Sequence, residues 1–147
     1  MCTIWGLAAS EQELNALQTL QNKAVRLLYA TEYKRGTITT RGLLKKYNIL
    51  DIRSVIEMEA VTMIYKIQHN LIKNNTTLQY RRQQHTHNTR NIHHIYMQPA
   101  RTDYGANSTI NRATHLYNKL PRTVTTTLTL HQFKQQIHKS LIMRQSS

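Results

Sequence analysis

A mainly α-helical fold is expected here: a small helical domain with a long central helix, a basic loop and room for one short strand. Three observations lead to it. Apolar residues recur at helical spacing in several segments. Only 4 Gly and 2 Pro punctuate 147 residues, so few turns are forced, which disfavours a many-stranded sheet. Residues whose side chains cap helices stand just ahead of the periodic segments.

Residues 10–30 predict the first helix. Ser10 and Glu13 have capping-box spacing, each able to satisfy a backbone N–H of the other. Leu14, Leu17, Leu20, Ala24, Leu27 and Leu28 are expected on its apolar side, with Lys23 and Arg26 beside it. Residues 31–38 read as a connector broken at Gly36. A short helix is expected over 40–47, anchored by Leu43, Leu44 and Tyr47 and wet on the side of Lys45 and Lys46. Asn48 ends it, and Ile49-Leu50 leads into the longest apolar segment.

That segment, 51–72, predicts the central helix. Asp51 stands at the N-cap, and Ile52, Val55, Ile56, Ala60, Met63, Ile64 and Ile67 follow a helical period along one side. Asn70 is the expected stop. Short links between three helices suggest an antiparallel arrangement.

After Ile72 the periodicity fails. Residues 73–91 are polar and read as a loop or linker, since few of them look buriable. Residues 92–98 suit a short strand bounded by Pro99. Ser108 can cap a helix over 109–119, with Ile110, Ala113, Leu116 and Tyr117 on one side and Leu120-Pro121 as its stop. Residues 123–129 are threonine-rich and poor in helix formers. Thr129 can cap a last helix over 130–143, built on Leu130, Phe133, Ile137 and Leu141. The chain therefore divides into a helical core segment, 1–73, a basic polar linker, 74–91, and a C-terminal segment with two short helices, 92–147. No internal repeat is present.

Charge is the strongest bulk signal. There are 20 Lys and Arg against 7 Asp and Glu, a net +13. Residues 1–73 hold ten basic and six acidic residues, so +4; residues 74–147 hold ten basic residues and one acid, Asp103, so +9. A field of that sign attracts polyanions, and RNA or DNA is the expected partner. Cys2 is the only cysteine, which excludes an internal disulfide. No apolar run approaches the ~20 residues of a membrane span, and the N-terminus has no basic leader with a long apolar stretch, so neither a membrane partner nor a signal peptide is expected.

Polymerase or nuclease chemistry needs carboxylates converging on Mg²⁺. Glu57 and Glu59 are two apart, on different sides of a helix, and no acidic cluster has a useful spacing. No catalytic residue, metal site or cofactor is assigned, and the chain is expected not to be an enzyme. His85, His87, His93 and His94 fall within ten residues, but no Cys or carboxylate stands near them to complete a zinc site, so they read as polar loop histidines. Nucleic-acid contact is what remains. Tyr80, Arg81, Arg82 and Arg90 mix an aromatic with cations, and Tyr80 can stack on an unpaired base. Lys45, Lys46, Arg101, Arg112 and Lys134 add candidate phosphate contacts. Nothing points to base-specific reading.

Several landmarks together resemble the region after the polymerase core of non-LTR (LINE-type) retrotransposon reverse transcriptases of the Jockey and CR1 kind. They are Ile4-Trp5-Gly6, the run from Leu17 to Leu28, Leu44 to Ile52 with the apolar helix behind it, His87-Asn88-Thr89-Arg90, Arg101-Thr102-Asp103-Tyr104-Gly105 with Ser108, Leu116-Tyr117-Asn118-Lys119-Leu120-Pro121, and Phe133-Lys134. The match rests on their order and spacing over nearly the whole chain. One departure is Tyr117, where the family usually has Trp. The resemblance implies a non-catalytic tail, since the family's paired aspartates lie in an upstream palm domain absent here. Met1 then looks like an internal methionine of a longer reading frame. The implied role is non-specific binding of RNA or DNA through phosphates, beside a reverse transcriptase core and, as in the parent family, in the nucleus. The alternatives are a module docking on the polymerase body through Leu116, Tyr117, Phe133, Ile137 and Leu141, or a transposon remnant with no selected function.

Overall fold

Helix α1, Glu11–Leu28, starts as the capping box requires. In this computed structural model, which describes residues 6–34, 38–73, 78–84, 92–97, 99–126 and 129–146, the Ser10 hydroxyl accepts from the Glu13 N–H at 3.3 Å. The Glu13 carboxylate accepts from the Ser10 N–H at 2.8 Å and from the Ser10 hydroxyl at 2.9 Å, and these two bonds to the carboxylate hold its pKa below the ordinary value. The chain then breaks at Tyr29 and resumes as α2, Ala30–Lys34, so part of the expected connector is helical. Helix α3, Thr40–Lys46, and α4, Ile52–Gln68, follow, capped by Thr39 and Asp51. Asn48 and Asn70 end them with φ of 53° and 54°, a left-handed conformation that asparagine tolerates better than most residues. In each case the next N–H reaches back into the last turn, Ile49 to the Leu44 carbonyl and Leu71 to that of Lys66, both at 2.8 Å.

The central helix is buried over a wider arc than its apolar pattern indicates. Ile56, Ala60, Ile64 and Ile67 face inward as expected, but Ser54, Val61, Thr62 and Tyr65 are buried too. The reason is tertiary: α4 is held between α1 on one side and the C-terminal helices on another. Those helices are α7, Thr109–Asn118, and α9, Leu130–Ser146, capped by Ser108 and Thr129. Tyr65 stacks on Phe133 with ring centroids 4.2 Å apart. Leu50, Ala60, Val61, Ile64 and Tyr65 form one core with Ile95, Ala113, Tyr117, Phe133, Ile137 and Leu141, so residues from both ends of the chain share it.

Helix α1 faces differently from the expectation. Leu14 and Val25 are buried, whereas Leu20, Leu27 and Leu28 are 60%, 78% and 75% exposed. Its inner side carries two glutamines. Gln21 donates to the Leu50 carbonyl at 2.8 Å, and Gln18 accepts from the Ile52 N–H at 3.0 Å, which satisfies backbone groups at the start of α4. Val25 packs with Leu43 and Leu44 in a smaller cluster beside Tyr29 and Tyr47.

The stretch 73–91 is more ordered in its described part than its polarity suggests. Leu78 and Tyr80 pack against the main core, and Arg81–Gln84 makes a helical turn, α5. The strand expected over 92–98 contracts to one antiparallel bridge, Tyr80 with Ile95. Around it the Tyr96 N–H reaches the Gln79 carbonyl at 2.7 Å and the Arg81 N–H that of His94 at 2.9 Å. Two further short helices, α6 at Asp103–Ala106 and α8 at Arg122–Thr125, complete the path, the latter within the threonine-rich stretch. Among the described residues no helix is long and apolar enough to cross a membrane.

Candidate nucleic-acid interface

The bridge at Tyr80 and Ile95 builds one wall of a cleft of about 420 Å³. Tyr80, Arg82, His93 and His94 come from this wall, while Tyr117, Asn118 and Arg122 come from the end of α7 and the start of α8. Asn118 ties the two sides together. Its side chain accepts from the Ile95 N–H at 2.9 Å and donates to the Ile95 carbonyl at 3.0 Å. Both polar groups of a fully buried residue are thereby satisfied, and the segment carrying His93 and His94 is held in register.

The cleft is cationic. Among the described residues no Asp or Glu lines it, and neither Arg82 nor Arg122 has a carboxylate partner. The Arg82 guanidinium lies over the Tyr80 ring, 5.2 Å from its centroid. Burial, with Arg81 and then His93 nearby, pushes the His94 pKa below the ordinary histidine value of 6.5. Burial pushes the Tyr117 hydroxyl well up, so it stays protonated. The Thr125 and Thr126 hydroxyls both donate to the Arg122 carbonyl, at 3.1 and 3.0 Å, which turns their hydrogens toward the backbone. What is left to meet a ligand is therefore chiefly the Arg82 and Arg122 guanidiniums, the two imidazoles and tyrosine π surface, the chemistry that suits a phosphate joined to a base.

The acids lie elsewhere, and three of them hold other cations. Glu32 pairs with Lys46 at 2.8 Å, Glu11 with Arg53 and Glu57 with Arg144. Glu32 also accepts from the Tyr47 hydroxyl at 2.6 Å, and this bond raises the pKa of Tyr47. Lys46, expected to touch phosphate, is thus engaged in an ion pair that raises its pKa. Lys45 is exposed in a different groove with Arg41, Arg53 and Asp51. Arg112 donates to the Leu7 carbonyl, Arg101 sits on an exposed bend before α6, and Lys134 is half-buried on α9. Of the nine residues expected to contact nucleic acid, Tyr80 and Arg82 line the cleft and Arg81 adjoins it through His94. Arg90, like His85, His87, Cys2 and Trp5, lies outside the described residues.

Arg122, His93 and His94 were not among the expected contacts. Their only sequence signals are the Leu-Pro dipeptide before Arg122 and the histidine-rich stretch, and neither reveals that the two segments meet. Among the described residues no three His, Cys, Asp or Glu side chains gather to hold a metal ion. The surface suggested for docking is also revised. Tyr117, Phe133, Ile137 and Leu141 are inside the molecule's own core, with Leu116 packed against it. The chain matches no protein-family model, no curated protein and no solved structure.

Proposed function

We propose that this chain is a non-catalytic, nucleic-acid-binding tail of a non-LTR reverse transcriptase, gripping RNA or DNA through phosphates without reading sequence. The observation that carries the binding is the acid-free cleft lined by Arg82, Arg122, His93, His94, Tyr80 and Tyr117. The +9 charge of the C-terminal half adds a long-range field that draws a polyanion toward it. The order of the sequence landmarks supports the reverse transcriptase origin.

The test is a titration of labelled RNA at several salt concentrations, with the wild-type chain and an R82Q/R122Q double variant. Each phosphate contact on a single strand adds about 0.7 to the slope of log K against log salt. Losing two contacts makes that slope shallower by about 1.4. An unchanged slope and affinity would place binding elsewhere, and absence of wild-type binding at low salt would remove the reading.

One observation favours a second reading, a module that docks on a polymerase body. Leu20, Leu27 and Leu28 stand out from α1 at 60% exposure or more. Under that reading L20K/L27K abolishes self-association or aggregation of the isolated chain and leaves RNA affinity unchanged.

A further inference from the structure

We infer that the cleft between the Tyr80–Ile95 bridge and the start of α8 takes one unpaired nucleotide, so that the protein selects single-stranded nucleic acid over duplex. The inference rests on the nucleic-acid reading above and goes beyond its phosphate contacts. Its first support is size. A volume of about 420 Å³ lies in the range of small-molecule sites and has no room for a paired, stacked helix. A second is the placement of the π surface. Tyr80 is half-buried and packed against the core, inside the same cleft as the cations. A duplex can offer its outer phosphates to Arg82 and Arg122, but a base reaches Tyr80 only after leaving its stack.

A third support is the pairing of Arg82 with Tyr80. The guanidinium lies over the ring, 5.2 Å from its centroid, so that face of the phenol holds a second flat group in place, and planar guanidinium groups stack on bases as aromatic rings do. The donor inventory agrees. The Asn118 oxygen and one of its N–H groups are committed to Ile95, and the Thr125 and Thr126 hydroxyls are turned to the Arg122 carbonyl. With Asn118, Thr125 and Thr126 tied to the backbone in this way, the site holds a base chiefly by its face and its phosphate by charge, and discriminates little among bases.

Fluorescence anisotropy of the full chain tests this with four probes of equal length: single-stranded RNA, single-stranded DNA of the same sequence, the duplex, and an abasic single strand. Both base-bearing single strands are expected to bind at least tenfold tighter than the duplex and the abasic strand at one salt concentration, and the tighter of the two names the sugar preferred. Y80L erases that advantage and leaves the salt slope unchanged, while Y80F retains it; circular dichroism of both variants checks that the fold persists. Equal affinity for abasic and base-bearing strands overturns the inference and leaves the phosphate-binding reading intact. Loss of all binding in the wild-type chain overturns both.

Discussion

His94 sits where burial first, then the Arg81 guanidinium and the neighbouring His93, oppose its protonation. Tyr80, Arg82, Tyr117 and Arg122 line the same cleft, and no carboxylate there offsets them. The folded pKa therefore lies below 6.5, and the unfolded chain takes up the proton more readily. Stability from the neutral ring is fully present above about 6.5 and is lost as pH falls through that value toward the folded pKa. A bound phosphate has the opposite sign, since it favours the protonated ring. RNA affinity should thus rise over the window in which the free protein loses stability. Comparing the pH dependence of binding in wild-type and H94Q chains isolates this residue, and identical profiles would show that His94 takes no part.

At the scale of elements, helix starts are fixed locally and helix faces are not. The Asp51 carboxylate accepts from the Ser54 N–H at 2.7 Å and anchors the first turn of α4. D51A should cost about 1 kcal/mol in urea unfolding, the usual loss for an N-cap of this kind. A change near zero would mean that Gln18 and Gln21, which bond the backbone at Ile52 and Leu50, hold this turn without the cap. Those glutamines explain why α1 turns Leu20 and Leu27 outward: the free backbone groups at the entry to α4 need polar partners, and α1 supplies them from its inner side. A hydrophobic pattern cannot signal this demand, because it arises in another segment.

In the whole molecule, the first half cannot complete its core alone. Ala60, Val61, Ile64 and Tyr65 are each no more than 1% exposed, and their neighbours Ala113, Tyr117, Phe133 and Ile137 come from beyond residue 100. A fragment of residues 1–73 would bare that side of α4. Burial of one large apolar side chain stabilises by about 1.5–3 kcal/mol, so losing several such contacts exceeds the margin of a small domain. The fragment should therefore show weak, non-cooperative thermal melting by circular dichroism, against a cooperative transition for the full chain. Cooperative melting of the fragment would make 1–73 an independent folding unit.

The sequence by itself determined the helical class, the caps at Ser10, Asp51, Ser108 and Thr129, the stops at Asn48 and Asn70, and the inward spacing of Phe133, Ile137 and Leu141. These follow from bonds and periods within a few residues of each other. It also located Tyr80 and Arg82 as candidates by composition. Only the tertiary structure decided that α4 is covered on more than one side, that Leu78 and Tyr80 leave the polar stretch to join the core, and that Arg122 meets the histidines across a cleft. Each of these depends on which segment comes to lie beside which. Asn118 shows the physical reason most plainly: two hydrogen bonds to Ile95, 23 residues away in the chain, set the cleft wall, and no local pattern at either position encodes their meeting.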